Sequence, residues 1–237
     1  MNAWREDCLN RLNASTESAS GVLRELSTIV NDLGFEYCSY VLRTALPVPS
    51  PVVTWATTYP QPWVDHYFRN QYLEIDPVLE QISKKSLPVV WTDSLMASKP
   101  DFWEDARAYG IRHGWALATY GKGATVGMLS LARSHDNVTD RELADTEMRL
   151  VWLSHLVHGL IGAIETQNLA LQGDAELTHR EREVLRWSAA GKTAEEIALI
   201  LGISVRTVTF HVTSSLSKLN VINKTQAVAK ALLLGML

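Results

Sequence analysis

The most constraining feature of this 237-residue chain is a pair of matching helix-start signals near its C-terminus. Thr178-His179-Arg180-Glu181 and Thr193-Ala194-Glu195-Glu196 each place a threonine three residues ahead of a glutamate. At that spacing the threonine hydroxyl accepts from the third helical amide, while the carboxylate reaches back to the amide of the cap. Two helices therefore begin here. The first carries Val184, Leu185 and Ala189 and stops at Gly191, whose missing side chain suits a left-handed terminal residue. The second is short, Ala194 to Leu201, with Ile197, Ala198 and Leu201 on one face. Gly202-Ile203-Ser204 follows as a tight turn, and Ser204 caps a third helix. Along it Val205, Val208, Val212, Leu216 and Leu219 recur at helical spacing. Short helix, glycine turn and longer helix make a helix-turn-helix.

On the opposite face of the third helix from Val208 and Val212, Arg206, Thr209, Phe210 and Thr213 point outward near its N-terminal end. In a major groove that end meets base edges. Arg206 suits guanine, and Thr209 or Thr213 suits a base edge or a thymine methyl. Lys192, Thr193, Lys218 and Lys224 are the phosphate candidates. Charge is divided to match. From Ala175 to Leu237 there are eight basic and five acidic residues, a balance of +3. The rest of the chain holds 14 basic and 21 acidic residues, a balance of −7, within a formal total of −4. An acidic domain is thus joined to a small basic one. Helical periodicity lapses near Gln167 to Glu176, which sets the expected division at 1–167, a linker at 168–176 and a helix-turn-helix domain at 177–237.

Several classes fall away. The longest apolar stretch, Leu150 to Ile164, includes Ser154, His155 and His158 and is shorter than the roughly 18 residues that cross a bilayer. The start, Met1-Asn2-Ala3-Trp4-Arg5-Glu6-Asp7, lacks the cationic then apolar pattern of a secretory signal, so a cytoplasmic location without membrane attachment is expected. Cys8 and Cys38, the two cysteines, are too few for a disulfide framework. His155 and His158 lie three apart on a helix with no third ligand in view, so no metal is expected. Gly-x-Ser-x-Gly, phosphate-loop, His-Glu-x-x-His and Cys-x-x-Cys motifs are absent from the sequence, which argues against an enzyme.

The N-terminal region alternates in type. Helices are expected near Thr16 to Leu33, Pro62 to Asn70, Pro77 to Lys85, Phe102 to Tyr109 and Asp140 to about Thr166. Strands are expected near Phe35 to Arg43, Val52 to Thr57, Gly114 to Tyr120 and Thr125 to Arg133, the last two joined by a hairpin at Gly121-Lys122-Gly123-Ala124. The fold class is an α/β/α sandwich with a central antiparallel sheet, followed by a small all-α helix-turn-helix domain. Five of the eight Trp residues lie between Trp55 and Trp115. Tyr59, Trp63 and Tyr67 recur every four residues, which puts three side chains with apolar bodies and polar tips on one face. Asp76-Pro77 reads as a cap followed by proline at the first helical position. A carboxylate has several acceptor sites, so one oxygen can cap while the other takes an N–H from a ligand.

The run Leu177-Thr178, Arg180-Glu181, Glu183-Val184-Leu185, Gly191-Lys192-Thr193, Glu196-Ile197-Ala198, Ile203-Ser204, Thr207-Val208, Phe210-His211-Val212 and Lys218-Leu219 resembles the DNA-binding domain of LuxR-type transcription regulators. Tyr59, Trp63, Tyr67, Asp76-Pro77, Trp91, Gly114 and Leu129-Ser130-Leu131 resemble the autoinducer-binding domain of the same family. The resemblance implies an N-acyl-homoserine lactone as ligand, no cofactor, and a homodimer on a dyad-symmetric double-stranded DNA operator, with RNA polymerase as a further partner in quorum sensing. It implies that Trp63 donates to the lactone carbonyl, Asp76 accepts the ligand amide N–H, and Tyr59 and Ser130 bond the acyl carbonyl. Tyr67 and Trp91 pack on the ligand, and Phe102, Trp103, Ala106 and Ile111 enclose the ring. Val78 stands where some relatives carry a hydroxyl, so an acyl chain without a 3-oxo group is expected. The competing reading is a response regulator switched by phosphorylation. Phe35 to Arg43 and Val52 to Thr57 offer neither its acidic cluster nor its phosphoacceptor.

Overall fold

The computed structural model describes residues 2–44, 53–84, 87–121, 125–170 and 176–237. Two compact units emerge, one formed by residues 2–43, 53–121 and 125–164 and the other drawn mainly from residues 165–237.

Strict alternation builds the first unit. Its five strands are β1 (Tyr37–Arg43), β2 (Val53–Thr57), β3 (Val89–Val90), β4 (His113–Tyr120) and β5 (Val126–Arg133), paired antiparallel in the order β2-β1-β5-β4-β3. Because side chains leave a strand on alternate faces, Cys38, Tyr40, Leu42, Trp115, Leu117, Leu129 and Leu131 join one core, with α1 (Asn2–Asn13), α2 (Ala19–Asn31) and α7 (Asp140–Ala170). The opposite face, with Ala116, Ala118, Met128 and Ala132, packs on α3 (Gln61–Arg69), α4 (Pro77–Lys84), α5 (Asp93–Ala97) and α6 (Pro100–Ala108). The α/β/α sandwich is therefore present. Small residues on that second face leave room between sheet and helices.

Several boundaries differ from expectation. The single helix expected over Thr16 to Leu33 is α2 alone, started by Ser18, whose hydroxyl accepts from Gly21 N. Before it lies α1, which buries Cys8 and Leu12. The long helix continues to Ala170, past the expected domain boundary at 167. The rest of the expected linker falls largely on residues 171–175, and the expected hairpin turn on residues 122–124, which lie outside the described residues. The flanks of that turn meet, with Gly121 N donating to Thr125 O at 3.0 Å. On α7, His158 is buried and bonded to Tyr40 Oη at 2.7 Å, whereas His155 is exposed, so the two imidazoles do not converge on a metal. No single helix among the described residues is long and apolar enough to cross a membrane.

The second unit follows its caps. α8 (His179–Ala189) and α9 (Ala194–Leu201) each begin with a complete reciprocal box, Thr178 with Glu181 and Thr193 with Glu196. Gly202 takes φ of 65°, a left-handed conformation costly for other residues, and turns the chain through 107° into α10 (Val205–Lys218). That angle lies in the helix-turn-helix range. A fourth helix, α11 (Lys224–Leu233), is capped by Asn223 and buries Ala227 and Ala231 against Leu177, Leu185 and Leu219.

Candidate functional site

Between the second sheet face and α3 to α6 lies a cavity of about 50 Å³. All ten residues expected at a ligand site line it: Tyr59, Trp63, Tyr67, Asp76, Trp91, Phe102, Trp103, Ala106, Ile111 and Ser130. Seven further residues complete the lining, namely Ser39, Val41, Trp55, Leu73, Val78, Leu79 and Met128. Val78 was singled out in the sequence. The strand members were not, because Ser39 reaches the cavity only through its register with Ser130 across β1 and β5. Trp115, one position off the alternation, faces the other core and donates to Glu147 Oε1 at 3.2 Å.

Local structure fixes each wall. Pro at the start of α3 presets the first turn. It brings Trp63 edge-on to Phe102 at 5.8 Å and Tyr67 edge-on to Trp55 at 5.5 Å. Behind Trp63, His66 stacks at 6.1 Å and bonds Asp105 Oδ2 at 2.6 Å, which ties α3 to α6. Trp55 Nε1 donates to Ser39 Oγ at 2.9 Å. Gly114 lets the Trp91 indole lie against β4, since a Cβ there would strike both the ring and the Leu131 carbonyl.

Asp76 is the charged centre. Its Oδ1 accepts from Val78 N at 2.8 Å and Leu79 N at 3.3 Å, the cap expected of Asp-Pro, and its Oδ2 accepts from Tyr67 Oη at 3.0 Å. A carboxylate offers about four acceptor positions, and these bonds use three. Burial raises its pKa to about 6, against the opposing pull of the Tyr67 hydroxyl and the Val78 and Leu79 amides. Burial, reinforced by Asp76, also raises the phenols of Tyr59 and Tyr67, so both remain neutral donors. Trp91 Nε1 and Trp103 Nε1 are buried without a hydrogen-bond partner among the described residues. An unsatisfied buried donor costs about 1–3 kcal/mol. Trp103 also walls a second, outer pocket of about 470 Å³ with Asp93, Met96, Ala97, Pro100, Glu104 and Arg107.

In the second unit Arg206, Thr209, Phe210 and Thr213 are all exposed on α10, Lys224 is exposed at the start of α11, and Lys192 is half-buried just before α9. Thr193 is first a cap, its oxygen accepting from Glu196 N at 3.2 Å. Lys192 makes a half-exposed pair with Glu196 at 3.1 Å, a contact that solvent screens. Lys218 departs from expectation. Its ammonium bonds Glu181 Oε2 at 2.9 Å and the Glu176 carbonyl at 3.2 Å, so two of its three donors serve the fold of the unit itself.

Residues 18–160 match the family described as Autoinducer binding domain, and residues 175–231 match that described as Bacterial regulatory proteins, luxR family. The chain belongs to the LuxR family of transcription regulators. It is similar to the transcriptional activator protein AnoR of Acinetobacter nosocomialis, 36% identical over 239 residues and 100% of each chain. It is similar also to the transcriptional activator protein SolR of Ralstonia nicotianae, 40% identical over 216 residues, 91% of this chain and 92% of the relative. Among solved structures, Escherichia coli SdiA in complex with octanoyl-rac-glycerol superposes with a TM-score of 0.78 at 33% identity, over 99% of this chain and 95% of that chain. As a LuxR-family regulator the protein is not an enzyme. Its first unit matches an autoinducer-binding domain rather than a phosphorylation receiver.

Proposed function

We propose that this LuxR-family regulator binds an N-acyl-homoserine lactone in the cavity of its first unit and, as a homodimer in the cytoplasm, binds a dyad-symmetric DNA operator through α10. The observation that carries the reading is Asp76, a carboxylate with one acceptor position open, in a cavity whose wall also holds the Trp63 indole, the Tyr59 phenol and the Ser130 hydroxyl. An amide N–H bonded to Asp76 and ester or carbonyl oxygens bonded to indoles and phenols are what a lactone supplies. Trp63, Tyr59 and Ser130 are the proposed donors to it, Tyr67 and Trp91 its packing partners, and Phe102, Trp103, Ala106 and Ile111 the enclosure of the ring. The expected division at residues 1–167 and 177–237 is proposed as the division of these two tasks, with Lys192, Thr193 and Lys224 on phosphates. The relatives AnoR and SolR are named transcriptional activators, which supports activation, with RNA polymerase as the partner reached from the operator.

A pocket for a small molecule usually encloses about 300–1,000 Å³, whereas this cavity holds about 50 Å³. Entry of an acylated ring must therefore separate the walls, and the guest becomes part of the core. A ligand that binds only the folded state stabilises it by about 4 kcal/mol at a thousandfold excess over Kd. Thermal unfolding of the full chain with a panel of lactones of increasing acyl length should show a melting temperature raised by several degrees for a matching length. No shift with any lactone sinks the reading. A second reading has its own support, since SdiA holds octanoyl-rac-glycerol. Mass spectrometry of molecules extracted from purified protein separates the two, an acylglycerol favouring the second.

A further inference from the structure

The outward face of α10 is less polar than a base-reading surface need be. Phe210 is 66% exposed and Val205 41% exposed, although both are large apolar residues at the N-terminal half of the helix. Thr209 lies between them in sequence and one turn after Val205. Its Oγ1 donates to the Val205 carbonyl at 3.1 Å, so the one hydroxyl proton is already spent on its own helix. What Thr209 keeps for a partner is a methyl group and acceptor lone pairs. While that bond is kept it has no donor for guanine O6 or N7, adenine N7 or thymine O4. The one apolar group that B-DNA presents in the major groove is the thymine C5-methyl.

Resting on the proposed operator binding, we propose that α10 reads thymine methyls through Val205, Thr209 and Phe210, with Arg206 as the guanine reader beside them. Val205, on the flank beside Val212, and Thr209 are four apart and share one stripe, and Arg206 and Phe210, also four apart, share the stripe next to it. The strip meets bases with apolar groups on either side of Arg206, while the cations proposed for phosphate lie elsewhere, at Lys192 and Lys224. Sequence preference and affinity are thereby assigned to different residues. Methyl recognition sets which thymine–adenine pairs are accepted, and the salt-dependent term is left unchanged.

The test uses the full chain, saturated with whichever lactone raises its melting temperature or, if none does, without one, on a duplex enriched from a random library. Each thymine of the enriched half-site is then replaced by deoxyuridine, which removes the C5-methyl and nothing else. At one or two positions the replacement should weaken binding about fourfold per methyl, the scale for one buried methyl group. Phe210→Ala should weaken binding to the thymine duplex and abolish the difference between thymine and deoxyuridine at its position. Arg206→Ala should relax preference at guanine and leave the thymine effect intact. The slope of affinity against salt should be the same for Phe210→Ala as for the unaltered protein. Equal affinity for thymine and deoxyuridine at every position overturns the proposal, as does a Phe210→Ala loss that is the same on both duplexes. Failure to enrich any duplex at low salt overturns the operator reading itself and the proposal with it.

Discussion

Asp76, half-buried in the first unit, and Glu181, buried in the second, are both carboxylates withdrawn from water, and their surroundings drive them in opposite directions. Glu181 accepts from the Thr178 amide at 2.7 Å, the Ser214 hydroxyl at 2.7 Å and the Lys218 ammonium at 2.9 Å. Burial works to raise its pKa, but those partners reverse the effect and hold it at about 2. Asp76 also has three donors, yet none is a cation, and burial wins, with a pKa of about 6. The second unit has completed its buried charge with its own residues. The first unit has left its charge short of a partner, inside a cavity, which is where a guest has most to offer.

Lys218 is the residue on which the state of Glu181 depends most. Replacing it by methionine keeps the stem and strands the Glu181 carboxylate, a change that costs about 3 kcal/mol when one partner of a buried pair is lost. Urea unfolding of the full chain followed by circular dichroism should show the helix-turn-helix transition at markedly lower denaturant. If Lys218 instead served phosphates, stability would be unchanged and only DNA affinity would fall.

Acid separates the two carboxylates by sign. Asp76 binds its proton more tightly folded, at about 6, than unfolded, near 3.8, so folding of the unliganded first unit gains stability as pH falls from 7 to 4. Glu181 holds its proton less tightly folded, at about 2, than unfolded, near 4.5, so its contribution is complete above pH 4.5 and fades below it. Each amounts to roughly 3 kcal/mol from the pKa differences. Unfolding curves at pH 7, 5, 4 and 3 should show the two transitions moving apart. Lactone affinity should fall through pH 6, because a protonated Asp76 has one fewer acceptor for the amide. Parallel movement of both transitions refutes the contrast.

Asp76→Asn sharpens it. Removing the buried charge should raise the melting temperature of the unliganded protein at pH 7.5, by about 1–2 kcal/mol in stability, while lactone binding weakens at least tenfold. A site residue whose loss stabilises the fold is the expected signature of a charge kept for a guest. At the small end, Lys192→Ala breaks a pair that solvent screens and should leave stability nearly unchanged, yet lower the slope of log affinity against log salt by about one unit if Lys192 meets phosphate.

The two units also differ in how far they could be read in advance. In the second unit each helix start is written within four residues, by Thr178 with Glu181, Thr193 with Glu196 and Ser204 with Thr207, so local chemistry is enough. α11 lies beyond the helices expected from sequence, although Asn223 and Gln226 carry a similar reciprocal signature, with Ile222 N donating to Gln226 Oε1 and Gln226 N to Asn223 Oδ1. In the first unit the aromatic wall was legible because Tyr59, Trp63 and Tyr67 share a helical face. The sheet wall was not, because Ser39, Val41 and Met128 reach the cavity through strand register, a property of pairing rather than of local pattern. α1 was hidden for a related reason. Only Cys8 and Leu12 are buried along its described length, too sparse a stripe to announce a helix. Lys218 looked like a surface cation because nothing in its neighbours along the chain tells of Glu181, 37 residues away.

One strand has two audiences. Ser39 and Val41 of β1 look into the cavity, and Tyr40 between them reaches the opposite way to His158 on α7, across a gap that Gly127 keeps clear. Descent with modification therefore cannot retune one side of β1 in private. A bulkier residue at 39 that shifts the strand to suit a new signal also disturbs the tyrosine on its back, and a side chain at 127 would evict the phenol altogether. Changes in what the receptor hears and changes along its longest helix should thus arrive together in the lineage.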